Sequence, residues 1–295
     1  MSRERNLLLS SITVFIVCLS VLLAGCGGGG GNESVSPPPL GATWTSRNSG
    51  TTVSLNGVTY GNGTFVAVGD SGTVVTSPDG ETWTARNSGT TVSLTGVTYG
   101  NGTFLVVGFV KSSFTPDYLG IILTSPDGIA WTVGSDVGSA VLRGVVYGNG
   151  TFVAVGDAGL ISTHQTGIIL TSPDGVTWTY INDQSYPELF GVTYGNGSFV
   201  AVGPAGGGAP TIVTSSDAVT WTFRTPNADL RGVSYGNGTF MAVGNPGAAV
   251  TSPDGVTWTS GNAGTTSDLL GVTYGNGTFV AVGVSGTIVQ SVPAK

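Results

Sequence analysis

One passage of this chain occurs six times. The phrase Leu-x-Gly-Val-Thr-Tyr-Gly-Asn-Gly-Thr-Phe-Val-Ala-Val-Gly, or a near variant, places its tyrosine at Tyr60, Tyr99, Tyr147, Tyr194, Tyr235 and Tyr274, in steps of 39, 48, 47, 41 and 39 residues. A second phrase, Thr-Ser-Pro-Asp-Gly-x-Thr-Trp-Thr, follows at a variable gap. A period of about forty residues marks supersecondary units that bury a core only by packing on one another. Glycine contributes 50 of 295 residues and charged side chains only 8%. That composition suits short strands and tight turns, not helices.

Each copy reads as four strands. In the first copy they are Leu55–Gly61, Thr64–Gly69, Thr73–Ser77 and a fourth that opens at 82–84 with Trp83 as its apolar anchor. Asn62-Gly63 is a two-residue hairpin signal, because a type I′ turn needs positive φ at both positions. Pro78-Asp79-Gly80 makes the next turn, with proline fixing φ and aspartate able to bond back to the backbone. The second strand is almost wholly apolar, as expected if neighbouring units cover both of its faces. Trp44 precedes the first Tyr-Gly-Asn-Gly, and no Trp follows the last, Tyr274 to Gly277. Residues 42–50 are therefore expected to supply the missing fourth strand of the last unit. The expectation is an all-β, six-bladed β-propeller in a single domain, 42–295, closed by an N-terminal strand that completes the last blade.

The stretch Ser77-Pro78-Asp79-Gly80-Glu81-Thr82-Trp83 resembles the Asp-box (BNR) repeat of sialidase-like β-propellers. The match recurs at 125–131, 172–178 and 252–258, and is degraded at 215–221, where Ser216 and Ala218 replace Pro and Gly. That family spaces Asp and Gly by one residue, whereas here they adjoin. The resemblance implies that Asp79, Asp127, Asp174, Asp217 and Asp254 form structural turns. Sialidase chemistry needs three arginines, a Tyr–Glu pair, an acid/base Asp and an opening Phe/Tyr-Arg-Ile-Pro motif, and that motif is absent. Glu33, Glu81 and Glu188 are the glutamates left once residues 1–25 are removed; Arg143, Arg224 and Arg231 follow no motif, and Tyr186 with Glu188 are too close in sequence to persuade. No catalytic residue is assigned, and the chain is expected not to be an enzyme.

The amino end reads as a targeting device. Arg3 and Arg5 precede an apolar run, Leu7 to Leu23, and then Leu23-Ala24-Gly25-Cys26. This resembles a bacterial lipoprotein signal, which implies a signal peptide over 1–25 and lipidation of Cys26. Residues 26–41 then form a lipidated flexible tether, Gly-rich with a stiffer Pro37-Pro38-Pro39 step. The resemblance places the protein in the bacterial cell envelope, with Gly27 favouring the outer membrane. With Cys26 occupied and Cys18 removed, no disulfide or thiolate metal site is expected. Without Arg3, Glu4 and Arg5, seven Lys and Arg face fifteen Asp and Glu, a net charge of −8. That excludes a nucleic-acid footprint.

The copies differ in two ways. The segment from the Gly of Ala-Val-Gly to the Ser of the second phrase runs 8, 17, 16, 12, 8 and 8 residues. In a four-stranded meander this connection and the link between units share one face, while the tight turns share the other. Insertions on a rigid scaffold are where binding loops belong. The long segments, 109–120, 157–167 and 204–211, carry Lys111, Phe114, Asp117, Tyr118, His164 and Gln165. The second difference is the residue between Leu and Gly at the head of each first strand: Asn56, Thr95, Arg143, Phe190, Arg231 and Leu270. These should ring the mouth of the central channel, where two arginines could grip a carboxylate or phosphate.

His164 is the single histidine and no Asp-x-Asp-x-Asp-Gly loop occurs, so no metal or cofactor is expected. The leading reading is a monomeric, membrane-anchored binding module that recognises a glycan or an envelope or extracellular protein through the insertion-bearing face. An envelope assembly scaffold is the alternative, since Asp-box propellers include such a role, and a glycosidase the third. The variable face is expected to point away from the membrane, because residue 42 enters its strand from the tight-turn face.

Overall fold

The computed structural model divides into two units, Met1–Pro37 and Pro38–Lys295. It describes residues 44–113, 118–158, 167–181, 188–204, 212–224 and 228–291, all in the second unit. Cys26 and its tether lie outside the described residues.

The second unit is an all-β propeller. Its first sheet runs Leu55–Gly61, Thr64–Gly69, Thr73–Ser77, Thr84–Asn87 as an antiparallel meander. Gly191–Gly195, Ser198–Val202, Ile212–Ser215 and Thr222–Arg224 repeat the pattern, as do Leu230–Gly236, Thr239–Gly244, Ala248–Ser252 and Thr259–Asn262. A further sheet joins Leu269–Gly275, Thr278–Gly283 and Thr287–Ser291, with Trp44–Asn48 paired to its outer side in the register Trp44↔Ser291 to Asn48↔Thr287.

The expected six separate four-stranded blades are not what the described residues display. Four sheets have four strands, and the rest is one seven-stranded sheet. The cause is a single 17-residue strand, Thr132–Gly148, which pairs with Tyr118–Ser125 along one part and with Thr151–Ala158 along another. At 49–54, 88–92 and 263–268 the corresponding passage is interrupted between strands. A second correction concerns the long segments. Thr103–Lys111 and Tyr118–Ser125 pair through to Lys111↔Tyr118, so the ends of the 109–120 insertion extend a hairpin instead of forming a loop.

The reason for each turn is local. Asn62, Asn101, Asn149, Asn196, Asn237 and Asn276 all take φ between 47 and 50°, and the glycines after them are also positive, which is the type I′ conformation that Asn-Gly favours. In the second turn, Asp79 Oδ1 accepts from the Glu81 and Thr82 N–H groups, Ser77 Oγ holds the Gly80 N–H, and Trp83 Nε1 donates to the Gly80 carbonyl. Asp127, Asp174, Asp217 and Asp254 accept in the same way from the residues two and three positions on.

Packing is repeated with the sequence. Phe65, Phe104, Phe152, Phe199, Phe240 and Phe279 are fully buried, each stabilising by about 1.5–3 kcal/mol relative to exposure. Each lies within 5 Å of the tyrosine of its own hairpin, as in Tyr60–Phe65 at 4.6 Å. The hydrophobic clusters span adjacent repeats. One joins Leu55, Phe65 and Trp83 to Val280, Val282 and Ile288, bringing the two ends of the chain into one core.

The first strands of the repeats meet edge to edge. A Cβ added to Gly57 would lie 3.0 Å from Gly96 Cα, one on Gly96 3.0 Å from Gly144, and one on Gly144 3.1 Å from Gly191. The circuit continues from Gly191 to Gly232, from Gly232 to Gly271, and from Gly271 back to Gly57. A side chain at any of these points would push neighbouring strands apart.

Candidate functional site

All six divergent head-of-strand residues line one cavity of about 260 Å³. Asn56, Thr95, Arg143, Phe190, Arg231 and Leu270 are joined there by Asp70, Ser93 and Phe109. Below it, the Gly-Val steps of the same strands line a second, narrower space of about 50 Å³ that follows the channel.

A backbone irregularity aims these side chains. The pairing of first and second strands slips between Leu55 and Gly57, between Leu94 and Gly96, between Leu230 and Gly232 and between Leu269 and Gly271. It slips likewise across Arg143, where Leu142 faces Gly156 and Gly144 faces Val155. Asn56, Thr95, Arg143, Arg231 and Leu270 are therefore the extra residues of β-bulges, a device that re-aims a side chain at a barrel rim or site. The invariant Leu and Gly on either side stay in the core and the channel wall, and the bulge residue is free to vary.

In two hairpins the bulge residue bonds to the residue fourteen positions later. In the third repeat this is Arg143 with Asp157, bound through Nε and Nη2 at 2.8 and 2.7 Å to one carboxylate oxygen. The Asp157 side chain is only 5% exposed, against 28% for Arg143. Burial holds the Asp157 carboxyl above its ordinary value, even against the pull of the guanidinium. In the first repeat the same positions hold Asn56 and Asp70: Asn56 Nδ2 donates to Asp70 Oδ1 at 2.9 Å and to the Leu94 carbonyl. Ser93 Oγ donates to the same Asp70 oxygen at 3.1 Å. In the fifth, the residue fourteen positions on is Asn245, which donates to Asp229 Oδ2, while Arg231 Nε lies 3.4 Å from Asp229 Oδ1 without hydrogen-bond geometry.

Phe190 stands between the two arginines, its ring centroid 4.7 Å from the Arg143 guanidinium carbon and 4.3 Å from that of Arg231. Such contacts favour charge placed over an aromatic face. Phe109 is held edge-on by Tyr118, with ring centroids 5.5 Å apart. Thr95 Oγ1 is committed to the Val107 and Leu142 carbonyls and is structural.

Of the other sequence candidates, Lys111 is exposed at the end of its strand and Tyr118 is half-buried beside Phe109. Phe114, Asp117, His164 and Gln165 lie outside the described residues. Asp70, Ser93 and Phe109 were not among the expected site residues, and the paired state of Arg143 was not anticipated. A signal was present: the same spacing of fourteen separates Asn56 from Asp70 and Arg143 from Asp157. Among the described residues, no group of three His, Cys, Asp or Glu is placed to hold a metal ion.

No family model and no curated protein matches the chain. Solved structures do match. A structure of YCF48 bound to D1 peptide aligns at TM-score 0.54 and 16% identity, covering 85% of this chain and 97% of that one. Virginiamycin B lyase from Staphylococcus aureus, captured with quinupristin, aligns at 0.59 and 10%, covering 85% and 99%. A nidogen/laminin complex aligns at 0.60 and 13%, covering 78% and 97%. At such identities the likeness establishes the β-propeller fold alone.

Proposed function

We propose that this chain is a non-catalytic binding propeller that takes a protein or peptide partner at the cavity ringed by the bulge residues. One observation carries the reading. Residues 56, 95, 143, 190, 231 and 270 differ between repeats while their neighbours in the strand barely change, and all six converge on one cavity. Drift would scatter variation over every solvent-facing position. A protein partner is favoured over a glycan because the Phe190 ring, the natural platform for a sugar, is already covered by two guanidinium groups. Of the similar folds, YCF48 was captured with a peptide and nidogen with laminin, which agrees with this choice.

The scaffold is read as six blades. The seven-stranded sheet then counts as two blades sharing the strand Thr132–Gly148, and Trp44–Asn48 closes the last. Lipidation of Cys26 would tether the wheel to the envelope membrane. The test uses residues 42–295 as bait against envelope extract, beside a glycan array. Capture of a protein by the native chain and its loss in Leu270→Trp, which fills the cavity, supports the reading. Capture unaffected by Leu270→Trp refutes it.

A further inference from the structure

The cavity was expected to grip an anion, because it contains two arginines. Its charge balance says otherwise. The fourteen-residue pairing places Arg and Asp together in the third repeat, which cancels. In the fifth repeat Arg231 has Asp229 at 3.4 Å. In the first repeat the arginine position is Asn56, a neutral amide, while the aspartate is retained as Asp70. Among the described residues Asp70 has no cation in ion-pair range, and its bonds come from the uncharged Asn56 and Ser93, both on Oδ1. Its carboxylate is thus the uncompensated charge lining this cavity.

We infer that the cavity accepts a cationic group, an ammonium or guanidinium on an apolar stem such as a lysine or arginine side chain of the partner, with Asp70 as its counter-ion. This rests on the binding reading above and names the chemistry of the same site. Asn56 and Ser93 fix the carboxylate by holding Oδ1, leaving Oδ2 to receive the incoming donor. Apolar walls follow on either side: Phe109 from the second repeat and Leu270 from the sixth both line the cavity. Phe109 also offers a ring to a nearby cation, and Tyr118 holds that ring in place. A volume of about 260 Å³ admits one long side chain, not a folded element. The chain's net charge of −7 draws basic partners toward it from a distance.

The experiment titrates residues 42–295 by calorimetry with Nα-acetyl-lysine methylamide, which carries one ammonium and no carboxylate, and separately with hexanoate. Asp70→Asn, which keeps size and an acceptor for Asn56 and Ser93, is measured in parallel after its melting temperature is shown to match the native chain. The expected result is binding of the lysine derivative that weakens at least tenfold in Asp70→Asn and falls with added salt, with no heat from hexanoate. Binding unchanged in Asp70→Asn, or no binding of the lysine derivative at all, overturns the inference. If hexanoate binds instead, the cavity is still a site and the binding reading survives with the opposite charge preference. If neither probe binds and Leu270→Trp leaves partner capture intact, the binding reading falls as well.

Discussion

The ring of Tyr60 packs against the backbone of Gly275 so closely that a Cβ on Gly275 would overlap it. The same contact joins Gly61 to Tyr99, Gly100 to Tyr147, Gly148 to Tyr194, Gly195 to Tyr235 and Gly236 to Tyr274. Each tyrosine therefore uses the preceding repeat's glycine as a socket, and the circuit returns to its start. Gly275→Ala must displace Tyr60 or separate the first and last sheets. The expected loss is about 3 kcal/mol, the upper end of overpacking costs, read as a lower urea midpoint. An unchanged midpoint would mean that this seam is open in solution.

Removing Arg143 should harm the fold as well as the cavity. Asp157 is buried, and truncating its partner leaves a charge without compensation. Arg143→Ala should destabilise by ~1–3 kcal/mol, the cost of stranding a buried polar group. Adding Asp157→Asn should recover much of it, since the stranded charge is then gone. The comparison is a thermodynamic cycle in urea. A double-variant loss equal to the sum of the Arg143→Ala and Asp157→Asn losses would show that the pair is not coupled.

The second turns make the protein acid-sensitive in a defined window. Backbone N–H groups of Thr220 and Val219 hold Asp217 at about 2, and those of Thr257 and Val256 do the same for Asp254, against an ordinary 3.8. Asp79, Asp127 and Asp174 are shifted in the same direction for the same reason. A lowered folded value means that the stabilisation is complete above 3.8 and disappears as pH falls through about 2. Asp157 acts oppositely, because its raised value is relieved by protonation. Melting temperature should thus drop between pH 4 and 2. Asp217→Asn with Asp254→Asn should flatten that drop while leaving an acceptor in each turn.

Arg47 links the two ends of the chain. Its Nε donates to Gln290 Oε1 at 3.0 Å and its Nη2 to Glu81 Oε1 at 2.6 Å. Glu81 and Gln290 are both departures from the repeat, which elsewhere has Ile or Val and Thr at these positions. The segments Trp44 to Leu55 and Trp83 to Leu94 are otherwise almost identical. A charge placed only at this seam would select the correct one of two interchangeable strands. Arg47→Leu should cost ~0–1 kcal/mol, as exposed ion pairs do, but should raise the fraction of strand-exchanged dimer on refolding, measured by light scattering.

How far the sequence could be read follows from what the repeat constrains. Strand positions such as Leu55–Gly61 and Thr64–Gly69, and the Asn62-Gly63 turn, depend on local φ preference and alternation, so the residues announce them. The convergence of Asn56, Arg143, Phe190 and Arg231 was also legible, because repetition shares one geometry among all copies. The unbroken strand Thr132–Gly148 was not, since nothing local separates a strand that continues into the next repeat from one that turns first. The charge state of the mouth was missed for a related reason. Counting arginines ignores Asp157 and Asp70, whose nearness comes from the bulge and register of each hairpin and not from sequence proximity.

Partners should engage the bulge-lined mouth and not the opposite face. Site-specific photo-cross-linking tests this most directly, with a diazirine amino acid the size of leucine, which leaves the cavity open, placed at Leu270 or at Val256, 49% exposed in a second turn. Both variants are irradiated in cells that make the full chain. A partner adduct from position 270 and none from 256 is the predicted result. An adduct from position 256 alone, or from neither position, would contradict it.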